Sequence, residues 1–222
     1  KEVLISFTYD ALGRRTSKRV ANVVYEYIYS GNDVIEETQS NINPTTQAKT
    51  KKEMREYTYG ARGTDDIVAV RYSTYTRVKK LDVVNTTWDY YYEKNHLGSV
   101  IRITSNTGWI VDEYSYTVFG KAYRKNLNWL YKPVAGANDS PIWNTRLYTG
   151  REYDKEISLY YMRARFYDAG MGRFISRDPI GMKDNINLYT YVANNPMKYV
   201  DRMGLEKKIV GTLRIYSMYG DY

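Results

Sequence analysis

Hydrophobic and polar residues alternate in short runs along most of the chain, which is the period of a β-strand with one buried face. The run Val23–Ser30 reads VVYEYIYS and places Tyr25 and Tyr27 on the same face. Gly31–Asp33 then supplies turn residues, and Val34–Glu37 leads back. This order of strand, turn and strand predicts a β-hairpin.

A second hairpin is predicted where Ser99–Thr104 (SVIRIT) and Trp109–Thr117 (WIVDEYSYT) flank Ser105–Gly108, because Gly108 can adopt the positive φ of a tight turn. Helical periodicity is weak everywhere, and only Gln47–Glu56 and part of Lys183–Asn187 are compatible with a short helix. Further alternating runs that predict strands are Glu56–Tyr59, Ile67–Tyr75, Thr87–Glu93, Leu159–Tyr167 and Leu188–Val192. The pattern therefore predicts an all-β fold, a meander of short antiparallel strands and hairpins.

Composition supports a folded β-protein and excludes several kinds of site. The 222 residues include 26 Tyr but only 4 Phe and 4 Trp, and Tyr favours strands that are apolar on one side and wet on the other. The chain has no Cys, which excludes disulfides, a thiol nucleophile and cysteine-based zinc sites. No apolar run reaches transmembrane length. No metal site or cofactor is predicted.

Positive charge is concentrated in one part of the chain. Between residues 121 and 177 there are eleven Lys and Arg against five Asp and Glu, a net +6 of the total +8. Such a segment can bind nucleic acid, but no nucleic-acid-binding motif accompanies it. We therefore favour a solvated face, or arginines that serve as internal partners for carboxylates such as Asp178.

A short motif with aromatic residues, a turn and a basic residue occurs three times. It appears as YDALGR in Tyr9–Arg14, as YSYTVFGK in Tyr114–Lys121 and as FYDAGMGRF in Phe166–Phe174. Repeated strand–turn–strand units of this kind stack into an extended sheet in which each unit covers its neighbour.

These repeats, together with a series of longer motifs in a fixed order, resemble the RHS or YD-repeat family, and in particular its RHS repeat-associated core domain. The matching segments are NHLGS at Asn95–Ser99, LYTGREYD at Leu147–Asp154, LYYMRARFYD at Leu159–Asp168, GRFISRDPIG at Gly172–Gly181 and NLYTYVANNP at Asn187–Pro196. The match extends from about residue 90 to 205, with a weaker repeat match over 7–37.

The resemblance implies a fold and a division into domains. RHS proteins wind a long β-sheet into a hollow shell, and the core domain closes one end. We expect YD-repeat-like strands over 1–89 with a polar insertion around 41–52, the core domain over 90–205, and the start of a variable region over 206–222. In many members that variable region is a toxin enclosed by the shell, so a secreted or cell-surface location is expected, with the export signal outside this sequence.

The resemblance also implies self-cleavage by an aspartyl-protease-like centre. By motif, the two aspartates are Asp178 and Asp201, and the arginine is Arg165 or its neighbour Arg163, of which we prefer Arg165. The scissile bond would then be Leu205–Glu206. Two close carboxylates share a proton, so one can accept a proton from water while the other donates to the leaving nitrogen, and an arginine can orient the pair.

Several glycines and the single histidine belong to the motifs as structural residues. Gly204 lets the backbone bend beside Asp201, and Gly98 and Gly181 mark turns. His96 is the only histidine, so a serine–histidine site with Ser99 lacks a visible orienting group, and we interpret His96 as a structural hydrogen-bonding residue.

Three alternatives remain open from the sequence. Asp178 and Asp201 can simply stabilise turns, and the chain can be a non-cleaving cell-surface module that binds carbohydrate or protein. Nucleic-acid binding by residues 121–177 is a weaker third. Arg202 stands where the family usually has Pro, and we expect it to loosen the chain beside Asp201, since Pro would fix φ, and to add positive charge near the acids.

Overall fold

The computed structural model describes residues 4–61, 63–125, 131–133, 140–183 and 186–210. Its first part is one antiparallel sheet of eleven strands that lie side by side in sequence order. The strands are β1 Ile5–Tyr9, β2 Arg15–Val20, β3 Val23–Ser30, β4 Asp33–Ile42, β5 Lys49–Tyr59, β6 Ile67–Val78, β7 Leu81–Lys94, β8 Val100–Ser105, β9 Ile110–Tyr116, β10 Ala122–Lys125 and β11 Tyr131–Pro133. The predicted all-β meander is confirmed.

Both predicted hairpins are present. β3 and β4 pair down to Ser30 and Asp33 at the turn. In the β8–β9 hairpin, Gly108 has φ +84° and its N–H donates to the carbonyl of Ser105 at 3.0 Å. In both hairpins, the turn residues read from the sequence therefore form the tight turn that joins the two strands.

Three local predictions are wrong. Leu159–Tyr167, predicted as one strand, is divided by a turn into two antiparallel strands, Leu159–Met162 and Arg165–Asp168. A short helix over Gln47–Glu56 is replaced by β5, whose first residue pairs with the end of β4; the ladder to the neighbouring strand outweighs local helix propensity. The polar stretch around 41–52 thus forms the tip of the β4–β5 hairpin. Leu188–Val192 is not a strand and makes only one bridge, from Thr190 to Arg173. The region Lys183–Asn187 lies partly outside the described residues.

The second layer is a smaller antiparallel sheet, and a short two-stranded ladder follows it. Among the described residues, no helix has the length and apolarity that crossing a bilayer requires. The strands of the four-stranded sheet are β12 Glu152–Asp154, β13 Leu159–Met162, β14 Arg165–Asp168 and β15 Arg173–Phe174, and those of the ladder are β16 Tyr199–Val200 and β17 Lys208–Ile209.

The core lies between the large sheet and the second layer and is built largely from tyrosine. One buried cluster combines residues of both layers: Tyr27, Tyr57, Tyr92 and Tyr114 of the large sheet with Tyr160, Met162, Tyr167 and Phe174 of the second layer. The hydroxyls find partners across the layers: Tyr27 donates to Glu152 at 2.8 Å. The high tyrosine content thus supplies buried area and cross-layer hydrogen bonds from one side chain.

Buried ion pairs join the same two layers. Arg15 of β2 lies 2.6 Å from Asp154 and 2.7 Å from Glu152 of β12, and Lys18 lies 2.9 Å from Asp154. The guanidinium of Arg15 also lies over the ring of Tyr161, 4.2 Å from its centroid. Although burial opposes ionisation, nearby cations, Arg15 first among them, hold the pKa of Glu152 well below its usual range.

We predict that Asp154→Ala destabilises the fold by about 3–5 kcal/mol, because removing one partner leaves Arg15 and Lys18 buried with less compensation. Asp89→Ala is the matched control, since it also removes an Asp that is paired with an Arg, but at the exposed Arg71. It should change stability little. Chemical denaturation of both variants measures the difference, and equal losses would contradict a buried ionic contribution.

Candidate active site

Asp178 lies in the loop after β15 and forms the turn that the sequence predicts. Its Oδ1 accepts the N–H of Ile180 at 3.0 Å, and its carbonyl accepts the N–H of Gly181, which has φ +74°. Its other carboxylate oxygen, Oδ2, lies 2.9 Å from Nη2 of Arg165. One oxygen therefore holds the turn while the other faces a buried cation.

Asp201 follows β16 directly and is almost completely buried. Its Oδ1 accepts the N–H of Leu205 at 3.1 Å, and its Oδ2 accepts a hydrogen bond from Nη2 of Arg165 at 3.2 Å. The residue thus both shapes the loop that leads to the predicted scissile bond and contacts the same guanidinium nitrogen as Asp178.

Arg165, the first residue of β14, is the centre of this cluster. Its guanidinium lies against the ring of Phe174, 3.6 Å from the centroid. Nη1 donates to the carbonyl of Leu188 at 3.2 Å, and Nε donates to the carbonyl of Gly204 at 2.7 Å. Packing and these two carbonyls fix the orientation of Nη2, so the geometry that Asp178 and Asp201 share is determined by the fold.

The electrostatics favour a protonated Asp201. One guanidinium nitrogen, Nη2 of Arg165, serves two carboxyl groups, at 2.9 Å from Asp178 and 3.2 Å from Asp201. Burial raises the pKa of Asp201 to about 6, although the N–H of Leu205 and the charge of Arg165 act in the opposite direction. Asp201 therefore holds a proton over much of the mildly acidic range and can act as a proton donor.

Gly204 is required by the approach of the loop to the second layer. Its φ is +68°, and a Cβ at this position would collide with the carbonyl of Met162. The preceding residue, Met203, accepts the N–H of Ala164 at 3.1 Å. The backbone of the loop thus lies directly against the turn between β13 and β14.

The chain beyond the predicted Leu205–Glu206 bond turns back along the strand that precedes Asp201. Tyr199 pairs with Ile209, and Val200 pairs with Lys208. Glu206 is exposed and lines a cleft of about 720 Å³ together with His96 and Arg202. In sequence the bond lies between Asp201 and β17, with a partly buried residue on one side and an exposed one on the other.

The structure places Arg163 and Arg165 in different roles. Arg163 forms a two-point pair with Asp65, at 2.9 and 3.0 Å, whereas Arg165 contacts both predicted aspartates. Arg151 also lies 2.7 Å from Asp65. Several arginines of the basic segment therefore point inward to carboxylates, as one of the two favoured interpretations expected.

The NHLGS motif forms a turn, but its hydrogen bonds come from Asn95. The side-chain Oδ1 of Asn95 accepts the N–H groups of Leu97 and Ser99, both at 3.0 Å, and Gly98 has φ +83°. His96 is exposed at the cleft. Sequence reasoning missed Asn95, which lies five residues before β8, although Asn is a common turn-forming residue. In the described residues, no group of three or more His, Asp or Glu is placed to hold a metal ion.

Comparisons with known proteins identify relatives across the described fold, while no protein-family model matches the chain. The tRNA nuclease WapA of Bacillus subtilis (strain 168) is 31% identical over 205 residues, which is 90% of this chain and 7% of WapA. Salivary gland surface protein 1 of Aedes aegypti is 30% identical over 226 residues, or 98% of this chain and 6% of that protein. The chain spans less than a tenth of either relative.

Solved structures share the fold at lower identity. The crystal structure of TcdB2-TccC3-TEV matches with a TM-score of 0.66 at 24% identity, over 92% of this chain and 9% of that one. TcdB2-TccC3-Cdc42 matches with a TM-score of 0.65, also at 24% identity, over 90% and 9%. A similar arrangement of strands therefore occurs within a small part of these much larger chains.

We predict that the carboxyl group of Asp201 titrates near pH 6 in the folded protein, whereas an ordinary Asp titrates near 4. The folded state favours the protonated carboxyl of Asp201. The free energy of unfolding therefore includes the full stabilisation by this proton below the unfolded pKa of about 4, and loses it as pH rises through about 6. Carbon-13 NMR of the Asp carboxyls measures the midpoint. Stability–pH curves that are identical for the parent and Asp201→Asn would contradict the assignment.

Proposed function

This chain is an RHS-type, YD-repeat protein, and on that premise we propose that it closes a β-shell around a C-terminal effector and cleaves itself after Leu205. One observation carries the proposal. Nη2 of Arg165 lies within hydrogen-bonding distance of both Asp178 and Asp201, at 2.9 and 3.2 Å, and the Asp201 carboxylate binds the N–H of Leu205.

The proposed reaction is hydrolysis of the Leu205–Glu206 peptide bond by water. The carboxylate of Asp178 accepts a proton from the attacking water, and the water oxygen bonds to the carbonyl carbon of Leu205. Protonated Asp201 gives its proton to the nitrogen of Glu206 as the C–N bond breaks. The products are a carboxylate at Leu205 and an amine at Glu206, and Arg165 keeps both acids in place.

The effector and the remainder of the shell are the partners of this function. The shared fold with part of the much larger TcdB2-TccC3 chains supports a larger shell, and the name of WapA as a tRNA nuclease supports a nuclease effector in a related protein. On this proposal the protein is exported, and residues 206–222 begin the effector or its linker. Buried pairing of Arg151 and Arg163 with Asp65 argues against a nucleic-acid-binding surface made by these arginines.

A cell-surface module without cleavage is the second candidate. It is favoured by the Aedes aegypti relative, which is named as a surface protein of the salivary gland and matches nearly the whole chain. In that case the cluster around Arg165 is a structural ion pair, and the Leu205–Glu206 bond stays intact.

Intact mass of the full-length protein under denaturing conditions separates the two candidates. We expect two fragments that divide at Leu205–Glu206 in the parent, and a single chain in Asp178→Asn and in Asp201→Asn. Removing an acid or base typically slows such a step by about 10²–10⁴-fold.

Asp168→Asn is the matched control for these variants. Asp168 also stabilises a turn, by accepting the N–H groups of Gly170 at 2.7 Å and Met171 at 2.9 Å, and it is adjacent in the fold without contacting Arg165 in the described hydrogen bonds. It should cleave like the parent. An uncut parent would refute self-cleavage, and a cut Asp178→Asn variant would refute the assigned residue.

The rate of cleavage should depend on pH through Asp201. Because this residue acts as the proton donor and has a pKa of about 6, the rate should fall as pH rises above about 6, by about a hundredfold at pH 8. Refolding the denatured chain into buffers of different pH and following fragment formation by mass measures the profile. A rate that increases with pH across this range would reverse the assigned roles.

A further inference from the structure

The loop from Asp201 to Lys207 is anchored on two sides. On its inner side, the backbone of Met203 and Gly204 bonds to the second layer through Ala164 and Arg165. On its outer side, the anchor is the side chain of Arg202. This residue immediately follows one of the two predicted acids, so whatever holds it also restricts the acid.

The guanidinium of Arg202 bridges two segments that are remote in sequence. Nη1 donates to the carbonyl of Thr64, and Nη2 donates to the carbonyl of Leu97, both at 3.2 Å. It rests on Gly98, where an added Cβ would lie 2.5 Å from Nη2. The absence of a side chain at Gly98, and its φ of +83°, therefore create the place that the Arg202 guanidinium occupies.

The backbone of Arg202 is held as well. Its carbonyl accepts a hydrogen bond from Nη1 of Arg163 at 2.8 Å, and Arg163 is itself fixed by its two-point pair with buried Asp65. Arg163 also donates to the carbonyl of Asn32 at 2.7 Å. The two arginines at the β13–β14 turn thus bind consecutive parts of one loop, Arg163 at residue 202 and Arg165 at residues 201 and 204.

These contacts correct the expectation that Arg202 loosens the chain beside Asp201. Pro at this position would restrict the backbone through its ring, whereas Arg202 restricts it through three hydrogen bonds made by its side chain and carbonyl. Its positive charge is directed to the carbonyls of Thr64 and Leu97. Arg202 therefore restrains this backbone through hydrogen bonds to other parts of the fold, where Pro would restrain it through its own ring.

We propose that Arg202 is a positioning residue that locks the 201–205 loop onto the Leu97–Gly98 turn and so holds Asp201 in the geometry for cleavage. The inference rests on the proposed self-cleavage for its effect on rate, but the attachment itself is independent of any reaction. A displacement of about 1 Å at a reacting group can slow a reaction about a hundredfold. Loss of the Arg202 contacts would therefore reduce the rate of cleavage measurably even if Asp201 moved by only a fraction of that distance.

The first test compares cleavage rates of the refolded full-length protein with Arg202→Ala and Arg202→Lys. We expect Arg202→Ala to cleave at least about tenfold more slowly at every pH, with the midpoint of the pH profile unchanged. The pKa of Asp201 is set by burial, the Leu205 N–H and Arg165, and these groups still surround it in the closed loop, which remains the predominant state even when the loop opens about tenfold more often. Lysine offers a single nitrogen in place of the two that bind separate carbonyls in Arg202. The cleavage rate of Arg202→Lys should therefore lie between the rates of Arg202→Ala and the parent.

Arg77→Ala is the matched control, because Arg77 also donates to a backbone carbonyl, that of Lys49 at 3.1 Å, but on a distant hairpin. It should cleave at the parent rate. A parent-like rate for Arg202→Ala would overturn the positioning role. A slow Arg202→Ala whose midpoint also shifts would mean that the residue acts on the acidity of Asp201 rather than on its position, and would equally overturn the proposal.

The second test is hydrogen exchange of the uncut Asp178→Asn protein with and without Arg202→Ala. We expect the amides of Leu205 and Ala164, which bond to Asp201 and Met203, to exchange at least about tenfold faster without Arg202, while the amides of β5 and β6 are unchanged. Unchanged loop amides would overturn the attachment. If the parent protein is never cut, the proposed function fails, and this exchange measurement still decides the inference.

Discussion

The docking of the second layer onto the large sheet depends on buried charges that find their partners only across the interface. Arg15 and Lys18 come from the sheet and meet Asp154 from the second layer, whereas Asp65 comes from the sheet side and meets Arg151. A buried charge without a partner is strongly unfavourable. A shift of one layer along the other would separate all of these pairs together, so the charges fix one register where tyrosine packing alone would tolerate several.

That register places the turn between β13 and β14, and with it the candidate site. Arg151 donates to the carbonyl of Tyr161 from Nε and Nη2, at 3.0 and 2.7 Å, while its Nη1 holds Asp65. Arg163 binds the same Asp65 from the turn itself. Because Arg165 is only two residues further, the ionic network that joins the layers also sets the position of the guanidinium between the two candidate acids.

The sequence predicted the parts of this arrangement whose signals are local or belong to a motif. Alternation and turn residues predicted the β3–β4 and β8–β9 hairpins, and motif order placed Asp178, Asp201 and Arg165 together. The helix over Gln47–Glu56 was wrong because strand pairing with β4 is not visible in a local window.

The contacts of Arg202 could not be predicted for a similar reason. Thr64 and Leu97 are 138 and 105 residues away from it in sequence, and their acceptors are backbone carbonyls, which carry no residue signature. The role of Asp65 as a shared partner of Arg151 and Arg163 depends equally on tertiary structure. Motifs identify groups that do chemistry, but the attachments that orient them arise from the fold.

The ladder between β16 and β17 determines what a cut at Leu205–Glu206 would achieve. The chain on the far side of that bond is held to the near side by two residue pairs, Tyr199 with Ile209 and Val200 with Lys208, and by the N–H of Val210 on the carbonyl of Lys198. Lys208 and Ile209 are both exposed, so this ladder buries little apolar surface, and isolated two-stranded pairs are marginal in water. Hydrolysis would remove the covalent constraint, so that in the described residues this ladder and the packing of Val210 against the core would remain between the two pieces. The two acids and Arg165 all lie on the near side of the bond, so their contacts with one another do not cross it.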